Sequence, residues 1–226
     1  MSGMPTMLSL WEMRTHGQAA LRVLGISFGA SERATDLLVW SHAVDGGAVE
    51  FLVEHEDRIR SSADAPLTVV EESPRSVALD AHDQSLLTVG PAAIDLAVAL
   101  AASEGSGSVV VRNSFGDRFA PALAWWGATR DVVTRVTTAT GGWRADRDAL
   151  RPCDDRSTDL VVEAAGSGQG GGEGPVIEVA ARLAAAQRHG HPTEAAAAER
   201  FLELGHRLWL PTSARSRTQG SEGDQS

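Results

Sequence analysis

The sequence predicts an α/β fold with an N-terminal helical segment, a mixed sheet containing a βαβ unit, and C-terminal helices. Three observations carry this expectation. Apolar residues recur at helical spacing between residues 8 and 57, short β-branched runs take over after Pro66, and helical spacing returns after Val176. The chain of 226 residues is long enough for one domain with a sizeable core. A single α/β domain is expected over 1–213. It divides into the helical segment 8–57, a sheet-rich part 66–165 and a glycine-rich loop 166–174, and a polar tail follows over 214–226.

The elements follow in chain order. Ser9 and Glu12 in SLWE form a capping box, so a helix starts there. Leu10, Met13, Ala20, Leu21 and Leu24 continue it at helical spacing, and Gly25 is a left-handed stop. Ala34, Leu37, Leu38 and Ser41 predict a second helix over Ser31 to Ala43, broken by Asp45-Gly46-Gly47, and Ala48, Phe51, Leu52 and His55 predict a shorter third. LTVV, SVALD and SLLTVG then read as strands, and Pro91 suits the first turn of a helix running to Gly105. SVVVR reads as a buried strand, which completes strand, helix and strand. DVVTRVTT and TDLVVEAA are two further strands. Helices are expected from Val176 to Arg188 and from Thr193 to Trp209.

Composition excludes several chemistries. The net charge of −10 repels nucleic-acid phosphates, so nucleic acid is not an expected partner. No apolar run reads as a membrane span and the N-terminus lacks a signal-like core, so the expected location is cytoplasmic. The single Cys153 leaves no disulfide framework and no multi-cysteine zinc site, and no metal is expected. There is no lysine and no tyrosine, so imine formation through a side chain and phenol acid catalysis are excluded. Proton transfer falls to His, Asp, Glu, Cys or water.

Five candidate places carry chemistry. His42, beside Ser41 and ahead of Asp45, has an imidazole suited to proton transfer near neutrality, or is a helix histidine with a packing role. Arg112, Asn113, Ser114 and Arg118 lie at a strand end that can hold a carboxylate, or form a capped turn. Asp80-Ala81-His82-Asp83 is read as a hairpin loop rather than an acid-base pair. His189-Gly190-His191 is read as a helix stop rather than a metal site. The glycine-rich loop lacks a P-loop signature and reads as an insertion. Trp125 and Trp126 are expected to pack one into the core and one against a partner surface.

Two segments resemble a known family. ALRVLGISFGASERATDLLVW, within 8–57, resembles the N-terminal helical region of the malate and L-lactate dehydrogenases, which are NAD(P)-dependent and unrelated to Rossmann dehydrogenases. LDAHDQSLLTVGPAAIDLAVALAASEGSGSVVVRNSFG, residues 79–116, is similar to that family's stretch from an aspartate turn through a helix to a strand ending in Asn-Ser. Length and the ending RLWLPTSARSRTQGSEGD, which includes Arg217, resemble a short, uncharacterised bacterial family, domain of unknown function 3726.

The resemblance implies a homodimer with a small-molecule substrate, in which the segment 8–57 packs across the two-fold axis beside Trp11. It implies a catalytic histidine after the second helix. Ser41-His42-Ala43 aligns with it in one reading; in the other, Val44-Asp45-Gly46-Gly47 takes that place and the Ser-His pair is deleted. The family's Asn-His-Phe-Gly is absent, since Ser114 runs directly into Phe115-Gly116. The leading expectation is therefore non-redox acid-base chemistry on an amino-, oxo- or imino-acid-like substrate without a cofactor. His42 and Asp45 are the catalytic pair, and Arg112, Asn113, Ser114, Arg118 and Arg217 bind substrate. The alternatives are a catalytically silent partner of a separate dehydrogenase and a residual NAD(P)-dependent reductase.

Overall fold

The computed structural model describes residues 4–166 and 175–209. Strand β1 (Thr6–Leu8) leads into α1 (Leu10–Val23), whose start is the capping box. The Glu12 N–H donates to Ser9 Oγ (3.1 Å) and the Ser9 N–H donates to the Glu12 carboxylate (2.9 Å). Gly25 follows in the left-handed region, as the sequence suggested. Helix α2 (Phe28–Asp45) is longer than expected at both ends, α3 (Ala48–Glu54) matches the short third helix, and α4 (Glu56–Ser62) was not anticipated.

Strands β2 (Thr68–Ser73) and β3 (Ser76–Ser85) form an antiparallel hairpin. The expected strand SLLTVG is instead the start of helix α5 (Leu86–Glu104), because the Ser85 hydroxyl accepts the Leu87 N–H (3.2 Å) and caps the chain into helix. Pro91 accordingly lies inside α5 rather than in its first turn. This helix is long and apolar enough to cross a membrane by length and composition, which corrects the expectation that no such run exists; half of it is buried inside the protein, packed on the sheet. Strand β4 (Ser106–Phe115) returns parallel to β3, completing the βαβ unit. A 3-10 turn (Asp117–Phe119) and α6 (Ala120–Ala128) follow.

Strands β5 (Val132–Thr137), β6 (Gly142–Ala145), β7 (Leu150–Cys153) and β8 (Leu160–Gly166) complete a seven-stranded sheet in the order β2-β3-β4-β8-β5-β6-β7. β6 and β7 went unpredicted: four residues each, containing Gly142, Arg144 or Pro152, give no strand signal. Among the described residues only the β3–β4 pair is parallel. Helices α7 (Val179–His189) and α8 (Ala195–Trp209) flank β9 (His191–Thr193), which pairs with β1 and was also unpredicted. The glycine-rich loop beyond Gly166, Arg217 and the tail lie outside the described residues.

One apolar cluster runs from Leu8 and Met13 in the helical segment through Leu86, Ile94, Val109 and Val111 to Phe201 and Leu204. The α5 contact with β4 is close: a Cβ on Gly107 would lie 2.4 Å from the Ala97 carbonyl oxygen and 2.6 Å from Leu100 Cβ. Overpacking at a backbone contact leaves no flexible atom to yield. Gly107→Ala is expected to lower stability by about 2 kcal/mol in urea denaturation, with the far-ultraviolet circular dichroism of the folded state unchanged.

Candidate active site

The candidate residues fall into two clusters. The first surrounds His42 in the last turn of α2. Its side chain is fully buried, Nε2 lies 2.8 Å from Thr193 Oγ1, and the Val49 N–H donates to Nδ1 at 3.4 Å. With Nδ1 accepting, Nε2 carries the proton and donates to Thr193. Glu50 Oε2 stands 3.7 Å from Nδ1, buried without a hydrogen-bond partner among the described residues, while Oε1 accepts the Glu194 N–H (2.9 Å). His191 meets His42 edge-on, 4.7 Å between ring centroids. Burial first, then the neighbouring His191, push the His42 pKa down to about 4, with Glu50 opposing. The expectation of an imidazole poised near neutrality is thereby corrected: His42 is neutral at pH 7.

Arg118 joins this cluster. Its guanidinium donates to the Gly46 carbonyl (2.7 Å) and packs on Gly47, where a Cβ would lie 2.4 Å from it. Gly46 and Gly47 both have positive φ, so the turn after α2 needs glycine for conformation as well as space. Asp45 is exposed, unlike the buried His42. It lines an outer groove of about 470 Å³ with Arg182, His189 and His191. Arg182 donates to the Val44 carbonyl (2.5 Å) and so caps α2. Gly190 ends α7, in keeping with the expected helix stop.

The second cluster sits where the parallel pair is kinked. The β3–β4 register shifts between Asp80 and Gln84, and His82, Asp83 and, across from them, Asn113 adopt positive φ. The DAHD segment is therefore not a hairpin loop but a bulge at the carboxyl end of a parallel strand. Asp80 accepts from the His82 N–H (2.8 Å) and from the Asn113 side-chain amide (3.1 Å), which hold its carboxyl below the usual range. Arg58 of α4 forks onto Asp83, with Nε donating at 3.0 Å, and its guanidinium lies 3.8 Å over the Phe115 ring. His82 Nε2 reaches Thr68 Oγ1 (3.0 Å). Arg112 is half-exposed, 3.9 Å from Glu71, and Ser114 pairs in register with Gln84.

His42 is fully buried whereas Asn113 is exposed. An aromatic group stands between α3 and β4, with Phe51 5.9 Å from Phe115 and 5.1 Å from Phe119. Of the expected site residues, the fold brings His42 near Arg118, and Arg112 and Asn113 to Asp80, with Ser114 opposite Gln84. Glu50, Thr193 and Arg58 escaped sequence reasoning, since their parts depend on long-range contacts. Asp80 and His82 were visible but set aside.

The other motifs have plain settings. Trp125 stacks with Trp40 (6.1 Å between ring centroids), and the Arg33 guanidinium lies 5.9 Å from the centroid of the Trp126 ring; both tryptophans are half-buried and line a groove of about 310 Å³. Neither is fully in the core as one was expected to be. Burial raises the Cys153 thiol above its ordinary pKa, which disfavours a nucleophilic thiolate. Among the described residues no three His, Cys, Asp or Glu side chains gather around a common point suited to a metal.

These elements in this order define a malate/lactate dehydrogenase-like α/β fold. Malate dehydrogenase from Pyrococcus horikoshii OT3 superposes with a TM-score of 0.69 at 10% identity, over 92% of this chain and 97% of that one. Sulfolactate dehydrogenase from Methanocaldococcus jannaschii gives 0.69 at 11% identity, over 91% and 98%. A putative malate/lactate dehydrogenase from E. coli gives 0.65 at 10% identity, over 95% and 99%. No protein-family model matches the sequence, and no curated protein matches it.

The depressed pKa of His42 has a consequence for stability. Between its ordinary value near 6.5 and about 4, the unfolded chain binds a proton that the folded chain refuses, so stability falls as pH falls through that window. From pH 7 to pH 5 the loss from this group is expected to be about 2 kcal/mol. Urea midpoints at the two pH values measure it, and His42→Gln should flatten the difference.

Proposed function

We propose that the chain is a small-molecule oxidoreductase of the dehydrogenase and reductase type, acting on a hydroxy- or oxo-acid-like substrate with a nicotinamide dinucleotide. The observation that carries this reading is the kinked carboxyl end of the parallel β3–β4 pair, on a fold shared with malate and sulfolactate dehydrogenases. In α/β sheets ligands bind outside the carboxyl ends of parallel strands, and left-handed non-glycine residues concentrate at functional sites. Non-redox proton transfer gives way as the leading reading because His42, the acid or base it requires, is fully buried with both ring nitrogens engaged inside the protein.

The residues present fit such a cofactor. Asp80 is an ionised acceptor suited to ribose hydroxyls, Asn113 suits a carboxamide, and Arg112 offers a fork to phosphate. When bound, the nicotinamide supplies or accepts the hydride. The chain's own part is to orient: Arg58 fixes the bulge through Asp83, and the bulge fixes Asp80 against Asn113. We further infer a distant relation to the short bacterial family, domain of unknown function 3726, from the resemblance of the segment 207–224, which includes Arg217.

Fluorescence titration with NADH and NADPH tests the reading. Saturable binding in the micromolar range is expected, weakened by at least about tenfold in Asp80→Asn with the melting temperature retained. No saturation up to millimolar cofactor overturns it. That outcome supports the second reading, a catalytically silent partner of a separate dehydrogenase, which the sealed position of His42 favours.

We propose a homodimer formed through the helical segment 8–57. Trp11 is 72% exposed at the start of α1, beside the buried Met13, and an exposed aromatic next to a core stripe is a typical interface anchor. Trp11→Glu is expected to shift the protein toward monomer in light scattering while most of its circular dichroism remains. Wild-type protein that is monomeric at tens of micromolar refutes the dimer.

A further inference from the structure

The sheet carries a second polar feature, away from the kink. One register row crosses six strands: Ser76 pairs with Ser108, Ser108 with Glu163, Glu163 with Arg135, Arg135 with Arg144, and Arg144 with Arg151. Paired residues in a sheet present side chains to the same face. This face is opposite the one buried under α5, since the neighbours Val77, Val109, Val136 and Leu150 in the alternate row are buried in the core. Three arginines on three adjacent strands thus stand side by side, an arrangement that like-charge repulsion disfavours unless anions lie between them.

Two of the three are answered. Arg135 lies 3.2 Å from Asp155 and Arg151 lies 3.9 Å from Asp146. Arg144, the middle one, has neither an ion pair nor a hydrogen bond among the described residues, and its Nε is buried without a partner. A buried guanidinium nitrogen left without an acceptor is unfavourable, so the row is incomplete as it stands. Arg144 and Arg135 line a groove of about 520 Å³, which Arg75 lines from the β3 and β4 end. Its lining also holds the hydroxyls of Ser76, Ser106 and Ser108 and the small Gly107, Ala164 and Ala165. Glu163 is the one carboxylate lining it among the described residues.

We propose that this groove binds a small phosphorylated molecule, held by Arg144 and the adjacent Arg135 at one end and by Arg75 at the other. The volume is that of a site for a small ligand. Phosphate is favoured over carboxylate by the donor set. A carboxylate's two oxygens occupy one guanidinium fork, whereas a phosphate or diphosphate has acceptors enough for two or three forks and the serine hydroxyls. The groove lies at the amino-terminal half of β4, about 13 Å along β3 from Asp80 at 3.3 Å per residue. It is therefore separate from the kink and does not rest on the cofactor reading.

Isothermal titration of the full chain with inorganic diphosphate at fixed ionic strength, set by chloride, tests the assignment. Saturable binding below about 1 mM is expected, weakened at least tenfold in Arg144→Met and in Arg75→Met. Arg14→Met, which removes a distant exposed arginine, should leave it unchanged. If Arg144→Met fails to fold, the exposed Arg75 decides the matter. Absence of saturation at 10 mM, equal binding in the arginine variants and wild type, or equally tight binding of malonate each overturns the proposal.

Discussion

Helix α5 imposes the constraint on which the rest of the structure depends. Its apolar residues Leu86, Leu87, Ile94 and Ala97 must be covered, and the sheet covers them by placing β3 before the helix and β4 after it on the same side. A strand, a crossover helix and a strand packed on one layer can only be parallel neighbours. The parallel pair brings two carboxyl ends together, and there the bulge of β3 faces the bend at Asn113. The remaining strands add as antiparallel neighbours and change nothing at that point. Gly107 sets how closely the helix may lie, so a contact deep in the fold fixes the geometry of an exposed site.

Much of this was legible in the sequence where the cause is local. Ser9 and Glu12 announced α1 because a capping box is complete within four residues. SVVVR announced β4 because an uninterrupted β-branched run suits a buried parallel strand. Leu86-Leu87-Thr88-Val89 reads equally as strand or first helical turn, and the deciding hydrogen bond belongs to Ser85 just outside it. β1 and β9 are three residues each and exist through pairing across most of the chain, which no window can show. The site divides in the same way. Asn113 and Asp83 are residue types that tolerate positive φ, so each was visible, but the contact of Asn113 with Asp80 required the register of β3 against β4.

His42 misled for the same reason. A histidine after a helix, beside serine and before glycine, carries the right chemistry on paper. The fold then satisfies both ring nitrogens internally, with the Val49 N–H and the Thr193 hydroxyl, and adds His191 as a second disfavouring neighbour for charge. What His42 does in this arrangement is join three segments distant in sequence: the end of α2, the start of α3 and β9. Arg118 and Arg182 reinforce the joint by donating to the carbonyls of Gly46 and Val44.

The kink is organised differently, and the difference bears on function. Each left-handed non-glycine residue costs roughly 1 kcal/mol, and three of them meet where a regular parallel pair would cost nothing. The strain is held by side chains rather than by burial: Asn113 donates to Asp80, the His82 N–H donates to Asp80, and Arg58 clamps Asp83. Asp80 and Asn113 thereby stay accessible to solvent while fixed in position, with the carboxylate ionised. A packing role requires none of this, because core packing is achieved by the alternate residues Leu79 and Ala81. Fixed, charged and accessible groups at the carboxyl end of parallel strands are what a ligand requires, and His42, with both nitrogens satisfied and no access, meets only the first of those three conditions.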